Sequence, residues 1–225
     1  FWQYVAKGVV IVLAVLLEEE TRLALGNTLR FSLSALALAT VLGLTHAVAA
    51  RHSVGLRASA FLPFVVSPVT VAFGLLLLYP QWTASLSLLL AAYALLAYPF
   101  VAKSVGSALD SLPTHLEQAA RSLGASSWRC FWRVTLPLVA PALRRGMAFA
   151  AATSLGEFAV TLFLSRPEWM TLTTLIYQRL GRPGAANLDA ALMLACLLMA
   201  LSLTAFLLIE KTPGRSTLRK DALHA

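Results

Sequence analysis

Residues 117–137 open Glu117-Gln118-Ala119-Ala120-Arg121-Ser122-Leu123-Gly124, run on for nine residues, and close Val134-Thr135-Leu136-Pro137. Just upstream stands Asp110-Ser111-Leu112-Pro113. Ser111 is placed to cap a helix with Pro113 in its first turn. Leu112, Leu116, Ala119 and Leu123 fall on one face of that helix, and Gly124 takes the position after its end, where glycine is favoured. A second short helix is expected to start after Ser126 or Ser127. It runs through Trp128, Phe131, Trp132 and Val134 and ends before Leu136-Pro137, because proline disfavours helix at the residue before it. Two short helices with a small-residue corner make a knob. A neighbouring backbone can approach the corner closely, and Trp128, Phe131 and Trp132 supply anchoring area. The alternative is an amphipathic hairpin lying in the headgroup layer of a bilayer.

The surroundings of the knob decide the class of protein. The chain has 225 residues, 59% of them hydrophobic and 12% charged, against the roughly 25% charge of a soluble domain. So few charges cannot cover that much apolar surface in water, which excludes a soluble enzyme, a disordered chain and a disulfide scaffold. A span needs about 20 apolar residues, and about six segments approach this: 1–17, 23–50, 58–79, 83–101, 146–164 and 187–209. The expected fold is an all-α membrane protein with about six transmembrane helices, a single domain over 1–225, a core over 25–210 and a polar loop over 102–145. Segment 1–17 is short for a span, and 58–79 is interrupted by Pro63 and Pro68. Ala35, Ala37, Ala39 and Gly43 would let helices pack closely. The loops after the second, fourth and sixth segments, with the C-terminal tail, carry twelve Lys or Arg. The other side carries Arg22, Arg166, Arg179 and Arg182. The basic side belongs in the cytoplasm, so the knob and the C-terminus are expected there and Glu18–Glu20 outside. The net charge of +8 thus reports orientation and not nucleic-acid binding. Cys130 and Cys196 lie far apart with no metal-ligand spacing. No metal site is read, and no phosphate loop is present.

The run 117–137 resembles the signature loop of permease subunits of binding-protein-dependent ABC importers: Glu-Ala-Ala, three residues, Gly, nine residues, an aliphatic, one residue, Leu-Pro. Ala119, Ala120, Gly124, Val134, Leu136 and Pro137 match in spacing. Gln118 stands where the motif has Glu, with Glu117 one place before. Asn27-Thr28-Leu29 and Ala49-Ala50-Arg51 are also similar to this family. The resemblance implies a type I ABC importer permease fold in a bacterial inner membrane. It implies a loop, here Glu117, Gln118, Ala119, Ala120, Gly124, Val134, Leu136 and Pro137, that docks on a cytoplasmic ABC ATPase dimer. ATP and Mg would be bound by that partner, with no cofactor and no catalytic residue on this chain. A second permease half, fused or separate, and an external solute-binding protein complete the assembly, which works by alternating access. Residues 154–158 and the stretch after them look most like ferric-iron and thiamine permeases. The single loop and the absence of an initial Met resemble the C-terminal half of a two-half permease. Other solutes in view are a molybdate or sulfate oxyanion, a polyamine and a phosphonate.

Ser154-Leu155-Gly156-Glu157-Phe158 falls inside the fifth segment. A carboxylate at membrane depth must face protein, water or a partner charge. Ser154, Gly156 and Glu157 are therefore candidates for the translocation path or its gate. The plainer reading makes Glu157 a structural partner of Arg30 or of a backbone group, with Gly156 allowing a bend. Outside, Leu172, Leu175, Ile176 and Leu180 mark an amphipathic helix ended by Gly181, facing the binding protein or merely lying on the surface. A membrane enzyme would need acids or histidines gathered at one depth, whereas His46, His52, His115 and His224 are scattered. A transporter working without ATP would leave the knob unexplained.

Overall fold

Ala24, Thr28, Phe31, Ala35, Ala39, Gly43 and Ala47 recur every three or four residues and are all buried, a single stripe along one helix. That helix, α1 (Glu19–Ala49), contains no proline and has Glu19 and Glu20 in its first turn, where acidic side chains favour the exposed N–H groups. The computed structural model describes residues 15, 17–82, 85–164 and 166–211, and among them every regular element is helical. After a 3-10 turn at Ala50–His52 come α2 (Val54–Ser59), α3 (Leu62–Val65) and α4 (Pro68–Leu78). Next are α5 (Leu86–Asp110), α6 (Thr114–Ser122), α7 (Ser127–Cys130) and α8 (Leu136–Leu155). The last are α9 (Ala159–Leu164), α10 (Leu172–Leu180) and α11 (Ala185–Lys211).

The core is a three-helix contact. The α1 stripe from Phe31 to Ala47 lies on α5, and α8 packs on α5 as well. A Cβ at Gly43 would lie 2.6 Å from Val101 Cβ, and one at Gly146 would lie 2.8 Å from Val101 Cα. Two glycines therefore let α1 and α8 close on Val101 of α5, the close approach that small residues permit between membrane helices. Ala37 is exposed on the opposite side of α1 and takes no part.

Among the described residues, three helices, α1, α5 and α11, are long and apolar enough to cross a membrane uninterrupted. The segment 58–79 is a broken span: α2–α3 and α4 meet at a bend of 97°. Val66 and Ser67 are extended, as a residue before Pro68 prefers. The segment 146–164 is broken as well, since α8 ends at Leu155 and α9 begins at Ala159. Segment 1–17, apart from residues 15 and 17, and the tail 212–225 lie outside the described residues. Helix extends into both ends of the polar stretch 102–145. α5 continues to Asp110 and α8 begins at Leu136, so the knob proper is 111–135.

Candidate functional site

The first helix of the knob, α6, is preceded by Pro113. Ser111 does not cap α6. Its hydroxyl donates to the Ala108 carbonyl at 2.8 Å, closing α5 instead. At the other end of α6, Gly124 has φ +80°. Its N–H donates to the Arg121 carbonyl at 2.9 Å and the Ala125 N–H to Ala120 at 3.1 Å. This is the paired C-terminal closure that needs a left-handed residue. Ser126 then starts α7, its hydroxyl accepting the Arg129 N–H at 3.3 Å. The expected stop before Leu136-Pro137 does not occur. Residues Phe131–Thr135 form one π turn that runs straight into α8. Pro137 would collide with the carbonyl four residues earlier in a regular helix, and a widened turn at that place moves the carbonyl aside. The knob is thereby rooted rigidly in α8.

One carboxylate oxygen ties the knob to the core. Glu117 Oε1 accepts from Arg51 Nη1 at 2.9 Å and from the Thr135 hydroxyl at 3.0 Å. Arg51 stands just past the end of α1, and Thr135 at the root of α8. Burial pushes the Glu117 carboxyl up, but the Arg51 guanidinium and the Thr135 hydroxyl outweigh it and hold it below the usual carboxylate range. A second pair, Arg57 Nη1 with Asp110 Oδ2 at 2.9 Å, joins α2 to the end of α5. Arg57 also donates to the Arg51 carbonyl at 3.1 Å. Thus the residue beside the Gln118 departure makes the contact that holds the knob.

The candidate docking residues divide between root and tip. Leu136 packs against the α1–α5–α8 core, Val134 is half-buried, and Pro137 lies in the first turn of α8. Glu117 and Ala120 are half-buried, whereas Gln118, Ala119 and Gly124 are exposed. The tip is bare and apolar: Leu123 is 89% exposed and Trp128 72%. Trp128 meets the Trp132 ring edge-on at 5.4 Å, and Phe131 meets Trp132 at 5.6 Å. Beneath them Cys130 is buried.

Ser154, Gly156 and Glu157 sit together at the break between α8 and α9. Glu157 is buried, and its Oε1 accepts the Val160 N–H at 2.9 Å, capping α9. Its backbone carbonyl accepts from the Thr173 hydroxyl at 3.0 Å and, at 3.4 Å, from Tyr93. Tyr93 also shares a hydrogen bond with Thr161. The acidic side chain thus faces a backbone group and not Arg30, which is exposed on α1. Ser154 is buried and its hydroxyl has no partner among the described residues. A Cβ at Gly156 would meet nothing nearer than 3.7 Å, so the break follows from Glu157 capping a new helix more than from the glycine.

The far end of the bundle is fastened differently. α10 covers the predicted residues and ends at Gly181. Its first turn is buried, with Leu172, Thr173, Thr174 and Leu175 inside and Leu180 exposed. It is therefore tucked against α1 and α11, not laid on the surface. Asn27 Nδ2 donates to the carbonyls of Glu168 at 2.9 Å and Met170 at 3.0 Å. The Thr28 hydroxyl accepts the Leu172 N–H at 2.9 Å. Thr171 and Thr174 form a reciprocal cap. Arg179 pairs with Glu18 and with Glu20. Asn27-Thr28 stood out in the sequence only by resemblance. A polar pair inside an otherwise apolar helix face was the signal that it holds a distant loop.

Residues 39–210 match the family of binding-protein-dependent transport system inner membrane components. The chain is 38% identical over 111 residues to the molybdenum transport system permease protein ModB of Haemophilus influenzae, covering 48% of this chain and 48% of that protein. It is 33% identical over 184 residues to the sulfate transport system permease protein CysW of Synechocystis sp., covering 73% of this chain and 67% of that protein. A putative 2-aminoethylphosphonate transport system permease protein, PhnV of Salmonella typhimurium, is 30% identical over 159 residues, 69% of this chain and 59% of its own length. The chain spans about half the length of the molybdenum permeases it matches. Among solved structures, a bacterial ABC transporter involved in import of the acidic polysaccharide alginate aligns with a TM-score of 0.69 at 20% identity, over 88% of this chain and 80% of that one. The MetNI methionine ABC transporter aligns with a TM-score of 0.67 at 18% identity, over 86% and 98%. At such identities these likenesses speak to the fold, which is that of ABC importer permeases.

Proposed function

This chain belongs to the family of binding-protein-dependent transport system inner membrane components, and we propose that it is a permease whose 111–135 knob docks on a cytoplasmic ABC ATPase. One observation carries the reading. Glu117 Oε1 bonds both Arg51 and Thr135, so the knob is fixed at its root while Leu123 and Trp128 stay bare at its tip. A rigid root lets force on the tip turn α1 and α8 as one body, the rocking that alternating access requires. The knob end and the C-terminus then lie in the cytoplasm, in keeping with the excess of Lys and Arg there. ATP and Mg belong to the ATPase, and a solute-binding protein presents cargo at the α10 end.

For the solute we favour a small anion over the ferric iron or thiamine that residues 154–158 had pointed to. Support comes from the relatives, whose names carry molybdenum, sulfate and 2-aminoethylphosphonate transport. The test is Gly124→Trp in the full transporter in proteoliposomes. Docking predicts that cargo-stimulated ATP hydrolysis falls at least tenfold while the permease still folds in the membrane. Unchanged stimulation would remove the docking assignment. Stimulation by ferric iron or thiamine, and not by molybdate or sulfate, would remove the anion.

A further inference from the structure

A cavity of about 190 Å³ opens at the knob end, between the last turns of α1 and α5 and the α2–α3 segment. His46, Arg51, Arg57, Lys103 and Asp110 stand in its wall. Arg51 and Arg57 already face Glu117 and Asp110, each at 2.9 Å. Lys103 has no carboxylate within ion-pair distance among the described residues, and its ammonium lies 5.0 Å from the centre of the Phe61 ring. Three cations thus meet two carboxylates, and one positive charge is left over. Phe61, Phe64 and Lys103 also border a second cavity of about 530 Å³, which continues over Phe100 and Phe149. There the rings form a ladder. Phe64 meets Phe100 edge-on at 5.0 Å, and Phe100 stacks on Phe149 at 6.2 Å. A cationic mouth therefore opens directly into an aromatic trough, with Lys103 on the boundary.

A water-soluble anion would use the mouth and leave the trough unfilled, and a hydrocarbon would leave Lys103 unanswered. One molecule that matches both has a phosphate head and an acyl tail. We infer that these joined cavities hold a monoanionic phospholipid, its phosphate at Lys103 and Arg57 and one acyl chain along Phe64, Phe100 and Phe149. The position suits it, because a basic residue at a helix's membrane edge attracts anionic headgroups. The bound lipid would fill the gap between α2–α3 and α5, beside the Arg51–Glu117 anchor. The site depends on membrane residence alone, not on ATPase docking or on the solute.

The test uses the complete transporter, equilibrated with vesicles of equal phosphatidylglycerol and phosphatidylcholine, extracted mildly and weighed by native mass spectrometry. The wild type retains phosphatidylglycerol in preference to phosphatidylcholine. Lys103→Ala lowers that retention about fivefold, the size expected for one cation near an anionic head, and Lys103→Arg keeps it. Equal retention of the two lipids, or no change in Lys103→Ala, overturns the inference. Displacement of the lipid by millimolar inorganic phosphate overturns it in favour of a free-anion site. Disulfide linkage of two copies through Phe149→Cys, with no lipid retained, overturns it in favour of a second permease copy in the trough. Because lipid retention is read without nucleotide or cargo, its failure is distinct from failure of docking.

Discussion

The two ends of this bundle are held by different balances of buried neutral bonds and ion pairs. At the α10 end, Asn27 donates to two carbonyls, the Leu172 N–H donates to the Thr28 hydroxyl, Thr171 and Thr174 form a buried cap, and the largely buried Arg179 adds ion pairs to Glu18 and Glu20. At the knob end, the ties are ion pairs whose side chains are about a quarter to a half exposed, and the tip beyond them is mostly bare. Buried neutral bonds fix one geometry, because an unpaired buried donor is costly. Partly exposed ion pairs are weaker and screened, so the knob's rigidity rests on the unbroken π turn into α8 and the Glu117 tie sets its position against α1. One end is built to stay put and the other to be pushed.

Three changes would break or sharpen that contrast. Thr28→Val should have the largest effect on stability. It leaves the buried Leu172 N–H without its acceptor, at about 1–3 kcal/mol, and thermal unfolding in detergent would show it, while Thr28→Ser restores the wild-type value. Arg51→Ala should lower stability by about 1 kcal/mol or less, since both partners are partly exposed, yet cut cargo-stimulated ATP hydrolysis several-fold. The same anchor carries a pH signature. Glu117 is held below the usual carboxylate range, so its contribution is complete above that range and is lost as pH falls through the lowered value. Stimulated hydrolysis in the wild type should therefore fall at acid pH with a limb that is absent in Glu117→Gln. Arg57→Ala should matter least, about 0.5 kcal/mol or under, because its pair with Asp110 is half-exposed on both sides. If Arg57→Ala proved worse than Thr28→Val, the contrast between the ends would be reversed.

Much of this was legible in the sequence because it depends on local rules. The all-helical membrane fold followed from composition, Gly124 from its place after an amphipathic turn, and α10 from its spacing. The α1 stripe of Ala35, Ala39 and Gly43 was legible as small residues, although Ala37 was not separable from them without knowing which face meets α5. What escaped depends on distance. The Arg51–Glu117–Thr135 tie joins three segments far apart in the chain, and no local pattern places Arg51 beside Glu117. The Leu136-Pro137 stop failed because proline's restriction was relieved by a π turn, a backbone adjustment invisible to spacing. The breaks at Ser67-Pro68 and at Gly156-Glu157-Phe158 turned apolar segments into bent ones. Pro63, Pro68 and Gly156 marked both places in the sequence, but the size of the first bend and the fresh helix start at Ala159 come from the backbone geometry.

The most direct test is site-directed crosslinking in the assembled transporter, with Cys130 and Cys196 replaced. Single cysteines go in at Ala119 or Leu123 on the knob and at Leu180 on α10, all exposed. The account predicts that Ala119→Cys and Leu123→Cys crosslink to the ATPase in a nucleotide-sensitive way and that Leu180→Cys does not. A crosslink to the ATPase from Leu180→Cys, with none from the knob, would contradict it.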